Sequence, residues 1–391
     1  MTDCAPGSSS IYKPEIRSGE DLCGIAMNAV KRGDQVRVLQ KAFVTSYNDG
    51  DHHVFDEILN SVLGEGIHAL NNLLVVIRRK SFRIYRHFPM AFRARSTTAI
   101  EFGRPVYENQ ILDIVAVRFE DAKCGLDIRD GDKFIWLFRE KWAFGLYFDF
   151  SGNMRTEELW NELGHCYKTV KYHTVYSVLS REEEFNRLLD RGWFPFVQIL
   201  GQEFSRLLLS IEDVHNLEIT EDLLADEFND ARIKQFSDYW WKNDIFLQKR
   251  PLISAGIAAY VSGGDTGAIN CINTLVPQIE GIIRLYHKKD VGGSPSTRQL
   301  MDYLRSGAGE GSPTAGNLVF PLPLVKYIGR VFFRSFDTNG NDTELSRHSV
   351  AHGAADHSKF TRIRALQLIL LLDQIYFYFQ NRPRLATVAK E

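Results

Sequence analysis

The amino-acid sequence predicts an α+β protein that is mainly helical and contains more than one structural unit. Over most of its length, apolar residues recur at intervals of three and four, which is the spacing of amphipathic helices. Residues 98–152 differ, because β-branched and aromatic residues dominate there and turn-forming residues bound them. The length of 391 residues also exceeds that of a typical single domain.

Composition and charge are those of an ordinary globular protein. The formal net charge is -2, so any surface that attracts anions must be local. None of the five cysteines lies within four residues of another, which excludes common zinc and redox spacings and favours a reducing compartment. We see no signal-peptide pattern and no apolar run of membrane-spanning length, so we expect a cytoplasmic protein without membrane contacts.

The N-terminal part divides into three predicted intervals. Residues 1–20 are rich in Ser, Gly and Pro, and we expect a disordered tail. Residues 21–97 are expected to be helical, because apolar residues recur there at helical spacing. These residues include Val54, Ile58, Leu59, Val62 and Leu63. Residues 98–152 are expected to form a small antiparallel sheet, with a hairpin connection at 139–141.

The C-terminal part is expected to be helical throughout. Residues 153–237 form a predicted helical middle region, which Gly192 and Pro195 interrupt. An acidic stretch near 212–238 marks the end of this region. Residues 238–391 then show four or five helical patterns with short connections, which is typical of an antiparallel helical bundle.

A polar segment before the last helix, LSRHSVAHGAADHSKF (345–360), holds three of the eleven histidines. His348 and His352 are four residues apart and share a helix face, and Arg347 precedes His352 by five. Histidine takes and gives protons near neutral pH, and arginine carries a permanent charge that forks onto phosphate oxygens. This pair of residue types predicts a site that cleaves an RNA phosphodiester without a metal.

Two other interpretations of the segment stay open. Basic residues near a helix C-terminus interact favourably with the helix dipole, so a structural role explains the same spacing. His348 and His352 are also a two-ligand helical pair, with Asp356 or His357 as a third metal ligand. No glutamate stands next to His348 as in a zinc-protease helix, which argues against that class of enzyme.

The segment SRHSVAHG, followed by TRIRALQLILLLDQIYFY, resembles the C-terminal motif of HEPN-superfamily proteins, which reads Arg, four to six residues, His. Upstream, KRPLISAGIAAYVSGGDTGAINCINTLVPQIEGII is similar to the first two helices of such proteins. The resemblance covers roughly residues 238–380. The chain departs from the motif at Ser346, where many relatives carry Asn; a hydroxyl replaces an amide there as a possible orienting group.

The resemblance implies an α-helical bundle that dimerises, so that the motifs of two protomers form one cleft. It implies a metal-independent endoribonuclease without cofactor, often part of a bacterial toxin or phage-defence system, with RNA and a second copy of the chain as partners. Arg347 and His352 match the motif's Arg and His, and His348 occupies the variable position beside the arginine. Other family members only bind nucleic acid or nucleotides, so a non-catalytic dimerising module is the alternative.

Glu280 is the carboxylate that the sequence singles out for the same site. It lies in the apolar stretch PQIEGII, and a buried carboxylate needs a partner. One hypothesis is that Glu280 orients Arg347 or a histidine. The other is that it points outward, because Gln278 and Arg284 bracket it.

Residues 78–95, RRKSFRIYRHFPMAFRAR, contain seven Lys and Arg residues and no acidic residue. Basic side chains hold phosphates and the interleaved aromatic rings stack on bases, which predicts a nucleic-acid contact. The predicted contact residues are Arg78, Arg79, Lys80, Arg83 and Arg86. The alternative is an amphipathic element whose aromatic rings pack inward while its arginines face water.

Overall fold

The computed structural model of the chain divides into two compact units, unit 1 (Met1–His173) and unit 2 (Thr174–Glu391). It describes residues 22–39, 72–79, 81–86, 89–119, 125–140, 143–308, 318–334, 346–353 and 355–381. Among these residues, the strands lie in unit 1 and most helices lie in unit 2, so the prediction of a mainly helical α+β fold is confirmed. No helix in the described ranges is long and apolar enough to cross a membrane.

Unit 1 contains two antiparallel sheets and helix α1 (Thr156–Lys171). The strands are β1 (Leu22–Ala26), β2 (Gln35–Leu39), β3 (Asn72–Arg78), β4 (Ser81–Arg86), β5 (Met90–Ser96), β6 (Pro105–Tyr107), β7 (Ile111–Phe119), β8 (Lys133–Glu140) and β9 (Ala143–Asp149). The five-stranded sheet has the order β6-β1-β2-β5-β7, and the four-stranded sheet has the order β4-β3-β8-β9. A 3-10 turn, Glu108–Gln110, precedes β7.

The prediction of a helical segment over residues 21–97 is wrong for the described part of that interval, which forms β1 to β5. Leu74 and Val76 are buried while their neighbours are less buried, which is the period of two that a strand requires. The run NLLVVIR is apolar almost throughout, so it fits a helical period as well as a strand. The tail at 1–20 and the apolar residues from Val54 to Leu63 lie outside the described residues.

Unit 2 consists of helices in the described ranges. They are α2 (His173–Ser180), α3 (Glu182–Asp190), α4 (Gln202–Ser210), α5 (Val214–Glu227), α6 (Asp230–Trp240), α7 (Asp244–Ser262), α8 (Gly264–Asp290), α9 (Thr297–Gly307), α10 (Pro321–Tyr327), α11 (Arg347–Ala351) and α12 (Arg362–Asn381). Short 3-10 turns occupy Val197–Ile199 and His357–Lys359, and a π-helical turn, Ile328–Phe332, continues α10. The helices expected in a separate middle region therefore lie, from α2 onward, in unit 2.

Helix α12 is the central element of unit 2, because every residue from Ala365 to Phe379 is buried. Two of its buried polar side chains, Asp373 and Gln374, form hydrogen bonds to neighbouring elements. Asp373 accepts from the indole of Trp240 at 2.7 Å and from the amide of Gln198 at 2.8 Å. Gln374 accepts from the backbone of Val197 and donates to that of Val319. These bonds set α12 in one position against its neighbours, because any shift would leave buried polar groups unpaired.

A buried ion network holds α1 to both sheets of unit 1. The Lys171 ammonium lies 2.8 Å from Glu108, just before β7, and 2.8 Å from Glu140 at the end of β8. Tyr167 donates to the same Glu140 carboxylate at 2.7 Å. Burial alone would lower the pKa of Lys171, but Cys23, Glu108 and Glu140 raise that pKa well above its usual value. Lys171 therefore stays charged, and one cation balances two buried carboxylates.

Replacing Lys171 by methionine is expected to lower the free energy of unfolding by about 3–5 kcal/mol, because Glu108 and Glu140 would stay buried without their cation. Urea denaturation followed by circular dichroism measures the change. The matched control is Arg155→Met, which breaks an exposed pair with Glu158 and should cost no more than about 0.5 kcal/mol. Equal midpoints for both variants would show that the buried network contributes nothing.

Candidate functional site

The predicted histidine segment forms α11, a helix of five residues with a defined start and end. At its start, the Ser346 hydroxyl accepts from the backbone N–H of Ser349, and the Ser349 hydroxyl accepts from that of Ser346. At its end, Gly353 has a φ of 65°, the left-handed conformation that glycine adopts readily. Ser346 thus acts as the N-cap, and it places Arg347 in the first turn and His352 at the C-terminal end.

Glu280 of α8 holds Arg347 through both carboxylate oxygens. The Nε of Arg347 donates to Oε2 of Glu280, and Nη2 donates to Oε1 at 3.2 Å. Arg284, one turn further along α8, donates from Nε to the same Oε1 at 2.8 Å. Glu280 is only 7% exposed, so the hypothesis that it points outward is wrong. Two guanidinium groups share one carboxylate, which leaves a net charge of one positive at this point.

His348 lies beside Nη1 of Arg347, while Nε and Nη2 of the same guanidinium bond to Glu280. Nη1 of Arg347 is 3.2 Å from Nδ1 of His348, and because arginine only donates, Nδ1 must be the acceptor. The neutral ring then carries its proton on Nε2. Burial, followed by the charges of Arg347 and His352, lowers the pKa of His348, while Glu280 opposes this effect. His348 is therefore neutral near pH 7 and offers an N–H donor rather than a base.

His352 is the outermost member of the series. Its ring is parallel to that of His348 within 10°, with the ring centroids 6.4 Å apart. The residue is exposed, and within the described residues its ring makes no hydrogen bond. A free imidazole beside a fixed cation can take a proton from a bound molecule or give one to it. The structure thus brings Glu280, Arg347, His348 and His352 into one continuous series from the interior to the surface.

A small cavity of about 10 Å³ lies behind Arg347, with room for one water molecule. Ser346, Arg347 and Arg364 contribute polar atoms to its wall, and Val331 and Phe332 of the π-helical turn contribute apolar ones. Turns of this kind are frequent at functional sites. The sequence indicated Arg284 only as a polar neighbour of Glu280, and it did not indicate Arg364. The i, i+4 spacing of Glu280 and Arg284 was the available sequence signal for Arg284 as a partner of Glu280. No sequence signal marked Arg364.

The residues predicted to bind nucleic acid are not a single cluster. Arg78 is held by Asp127 at 2.9 Å and by Asp132 at 2.6 Å, so its guanidinium is occupied by two carboxylates. Arg79, in the turn after β3, and Arg83 on β4 are exposed, whereas Arg86 is half-buried. Lys80 lies outside the described residues. Arg78 therefore does not fit the predicted phosphate contact.

In the described ranges, no third metal ligand accompanies His348 and His352. No group of three or more His, Cys, Asp or Glu side chains there is arranged to hold a metal ion. His357, which the sequence offered as that ligand beside Asp356, is 96% exposed and lies 3.5 Å from the Asp356 carboxylate. The histidine pair of α11 is accompanied instead by a guanidinium, which repels cations.

Comparison with known proteins gives no relative on which the site can be mapped. No family model matches the chain, and neither a curated protein nor a solved structure is detectably similar to it. The chemistry of the site therefore follows from its own groups. These are a buried carboxylate, a guanidinium that it orients, a neutral imidazole and an exposed imidazole.

Replacing Arg347 by leucine is expected to raise the pKa of His348, because the variant removes one of the positive charges that disfavour the imidazolium form. The pKa of His348 should rise only part of the way to its usual value, because burial is the larger cause of the lowering and remains in the variant. Titration of the imidazole signals by NMR measures the shift. Arg362→Leu, at the start of α12, is the control and should leave His348 unchanged; identical shifts in both variants would exclude the electrostatic contact.

The same lowered pKa predicts how stability depends on pH. Between the lowered pKa of folded His348 and the ordinary value of about 6.5, the unfolded chain binds more protons than the folded chain. The contribution of neutral His348 to the free energy of unfolding is thus complete above about pH 6.5. It is lost as the pH falls through the pKa of His348 in the folded chain. Urea denaturation at pH 7 and pH 5 should show a smaller loss in His348→Gln than in the parent, and an equal loss would contradict the assignment.

Proposed function

We propose that this chain is a metal-independent endoribonuclease of the HEPN type, of the kind found in bacterial toxin and phage-defence systems. The observation that carries the proposal is the contact series from buried Glu280 through Arg347 and His348 to exposed His352. It supports a site in which a permanent cation and a titratable imidazole act on one phosphodiester. The order of these residues in SRHSVAHG is also that of the family motif.

In the proposed reaction, the ribose 2′-hydroxyl attacks the adjacent phosphorus and the bond to the 5′-oxygen breaks. The products are a 2′,3′-cyclic phosphate and a 5′-hydroxyl end. His352 takes the proton from the 2′-hydroxyl, because its ring is exposed and has a free lone pair among the described contacts. The net positive charge that Arg347 and Arg284 share over Glu280 offsets the charge that develops on the phosphoryl oxygens.

The remaining groups suit a supporting role. Nε2–H of His348 is a donor beside Arg347 and can bond a non-bridging phosphate oxygen. The leaving 5′-oxygen needs a proton from a second acid, and the described groups at this site have other roles in the proposed reaction. We infer that His352 of a second copy supplies it, so the working enzyme is a homodimer with two α11 segments at one cleft.

A non-catalytic module that dimerises and binds nucleic acid or nucleotide is the competing function. One observation favours it: two of the Arg347 donor positions are occupied by Glu280, so the arginine also serves as a link between α8 and α11. An arginine that links two helices through a buried carboxylate stabilises the fold whether or not the site catalyses a reaction. Cleavage therefore has to be measured.

Purified protein is expected to cleave labelled single-stranded RNA in EDTA, and to leave DNA of the same sequence intact because it lacks the 2′-hydroxyl. Arg347→Ala and His352→Ala should each reduce the cleavage rate by at least about 100-fold, the usual scale for loss of acid–base or charge stabilisation. The matched control is His357→Ala, in the same segment, whose exposed ring should contribute nothing. Mass spectrometry of the fragments identifies the cyclic phosphate.

Three outcomes would contradict the proposed enzyme. Binding of RNA without cleavage would favour the module. Cleavage that EDTA abolishes and zinc or manganese restores would favour metal chemistry. Equal rates in the His352→Ala and His357→Ala proteins, with folding verified by circular dichroism, would remove His352 from the reaction.

A further inference from the structure

The four-stranded sheet of unit 1 has one buried face and one exposed face. On the buried face, Leu74, Val76, Phe134 and Trp136 are all nearly inaccessible to solvent. On the opposite face, the strand register aligns Ile77 with both Phe82 and Lys133, and aligns Ile135 with Phe148. Residues directly opposite each other on paired strands share a face. This second face, defined by Phe82, Lys133 and Phe148, is called the outer face below.

The outer face exposes aromatic rings to an unusual degree. Phe82 is 67% exposed, Phe148 is 59% exposed and Phe150, whose ring stacks on that of Phe148, is 47% exposed. Between them, Val75, Ile77 and other aliphatic residues of β3 and β8 are half-buried and form an apolar floor. Contiguous exposed apolar surface is a feature of interaction sites, whereas single exposed apolar residues are ordinary.

The charges on the outer face have a single sign. Within the described strands of this sheet, the register places Arg86, Lys133 and Arg139 on the outer face. The acidic residues of these strands, Glu140 and Asp149, belong to the other face, since they alternate with outer-face positions. An apolar surface on which the described strands place cations and no carboxylate fits a ligand with flat apolar groups on an anionic chain.

We propose that the outer face binds single-stranded RNA, with bases stacked on Phe82 and Phe148 and the phosphates held by Lys133. Every base presents a π-face that stacks on phenylalanine, and basic side chains neutralise the backbone. The strand has to be single, because paired bases are not accessible for stacking. The inference rests on the proposed function in taking RNA as the ligand, and it assigns RNA capture to unit 1.

The geometry also sets the scale of the bound segment. Phe82 lies on the edge strand β4 and Phe148 on the opposite edge strand β9. They are three strand spacings apart across the sheet, about 14 Å, and are offset by two residues along the strands. A strand of a few nucleotides spans this distance. Two of the aromatic residues interleaved in 78–95 take no part. Tyr85 lies on the inner side of the sheet, and Phe92 is buried.

The test uses the full chain with His352→Ala, so that cleavage does not deplete the RNA, and fluorescein-labelled oligouridine as the probe. Fluorescence anisotropy should show that the double variant Phe82→Ala/Phe148→Ala weakens binding by at least about tenfold. Lys133→Gln should weaken binding and reduce the slope of affinity against salt by about one ion. Phe102→Ala is the matched control, because that ring is 71% exposed in unit 1 but lies outside the four-stranded sheet.

A second measurement covers the case in which the double variant fails to fold. Phe148→Trp keeps a stacking ring, so oligouridine should still bind and should quench the added fluorescence. The inference is overturned if the face variants bind as tightly as Phe102→Ala, or if duplex RNA binds as well as the single strand. It is also overturned if the Phe82 and Phe148 substitutions convert a dimer to a monomer, or lower the melting temperature without changing affinity. These results would indicate a second copy, or another part of this chain, as the occupant.

Failure of this inference is distinguishable from failure of the proposed function. Cleavage that depends on Arg347 and His352 but not on the outer face would leave the enzyme intact and remove the RNA-binding surface. Binding that depends on Phe82 and Phe148 in a protein that never cleaves RNA would support the RNA-binding surface and contradict the proposed enzyme.

Discussion

The carboxylate of Glu280 is the group on which the candidate site depends. It lies on α8, nearly buried, and takes hydrogen bonds from Arg347 on α11 and Arg284 on its own helix. A buried carboxylate is stable only with such partners, so its presence fixes where Arg347 must lie. The position of Arg347 then determines the tautomer of His348, and the helix that both occupy places His352 at the surface.

The same carboxylate moderates the charge of the site. Two arginines without it would form a strongly cationic pocket that binds phosphate in its ground state as well as in the transition state. With Glu280 between them, one net positive charge remains next to the imidazoles. Under the proposed function, this single positive charge would oppose the one further negative charge that a phosphodiester gains during attack. The short helix α11, capped at Ser346 and terminated at Gly353, holds the two histidines in parallel without help from a long element.

Unit 1 uses buried charge for a different purpose. Buried ion pairs of Lys171 with Glu108 and Glu140 join helix α1 to both sheets, so these charges are paired in the interior. The inner face of the four-stranded sheet buries Leu74, Val76, Phe134 and Trp136, and the outer face carries exposed aromatic rings and cations. One sheet thus has a side that packs against the interior and a side on which aromatic rings are exposed. The alternation of side chains along β4, β8 and β9 produces that separation.

The sequence by itself determined the fold class, the helical character of residues 153 to 308 and the pairing of Arg347 with two histidines on one short helix. Helical spacing and capping residues are local, so these features could be read from the order of residues. It did not determine β1 to β5, because an apolar run such as NLLVVIR fits both periods and cross-strand pairing is a long-range contact. Only the tertiary structure decided that Glu280 turns inward to Arg347, 67 positions away, and that Arg78 is occupied by Asp127 and Asp132. Such pairs are set by the packing of distant elements, which no spacing within one segment encodes.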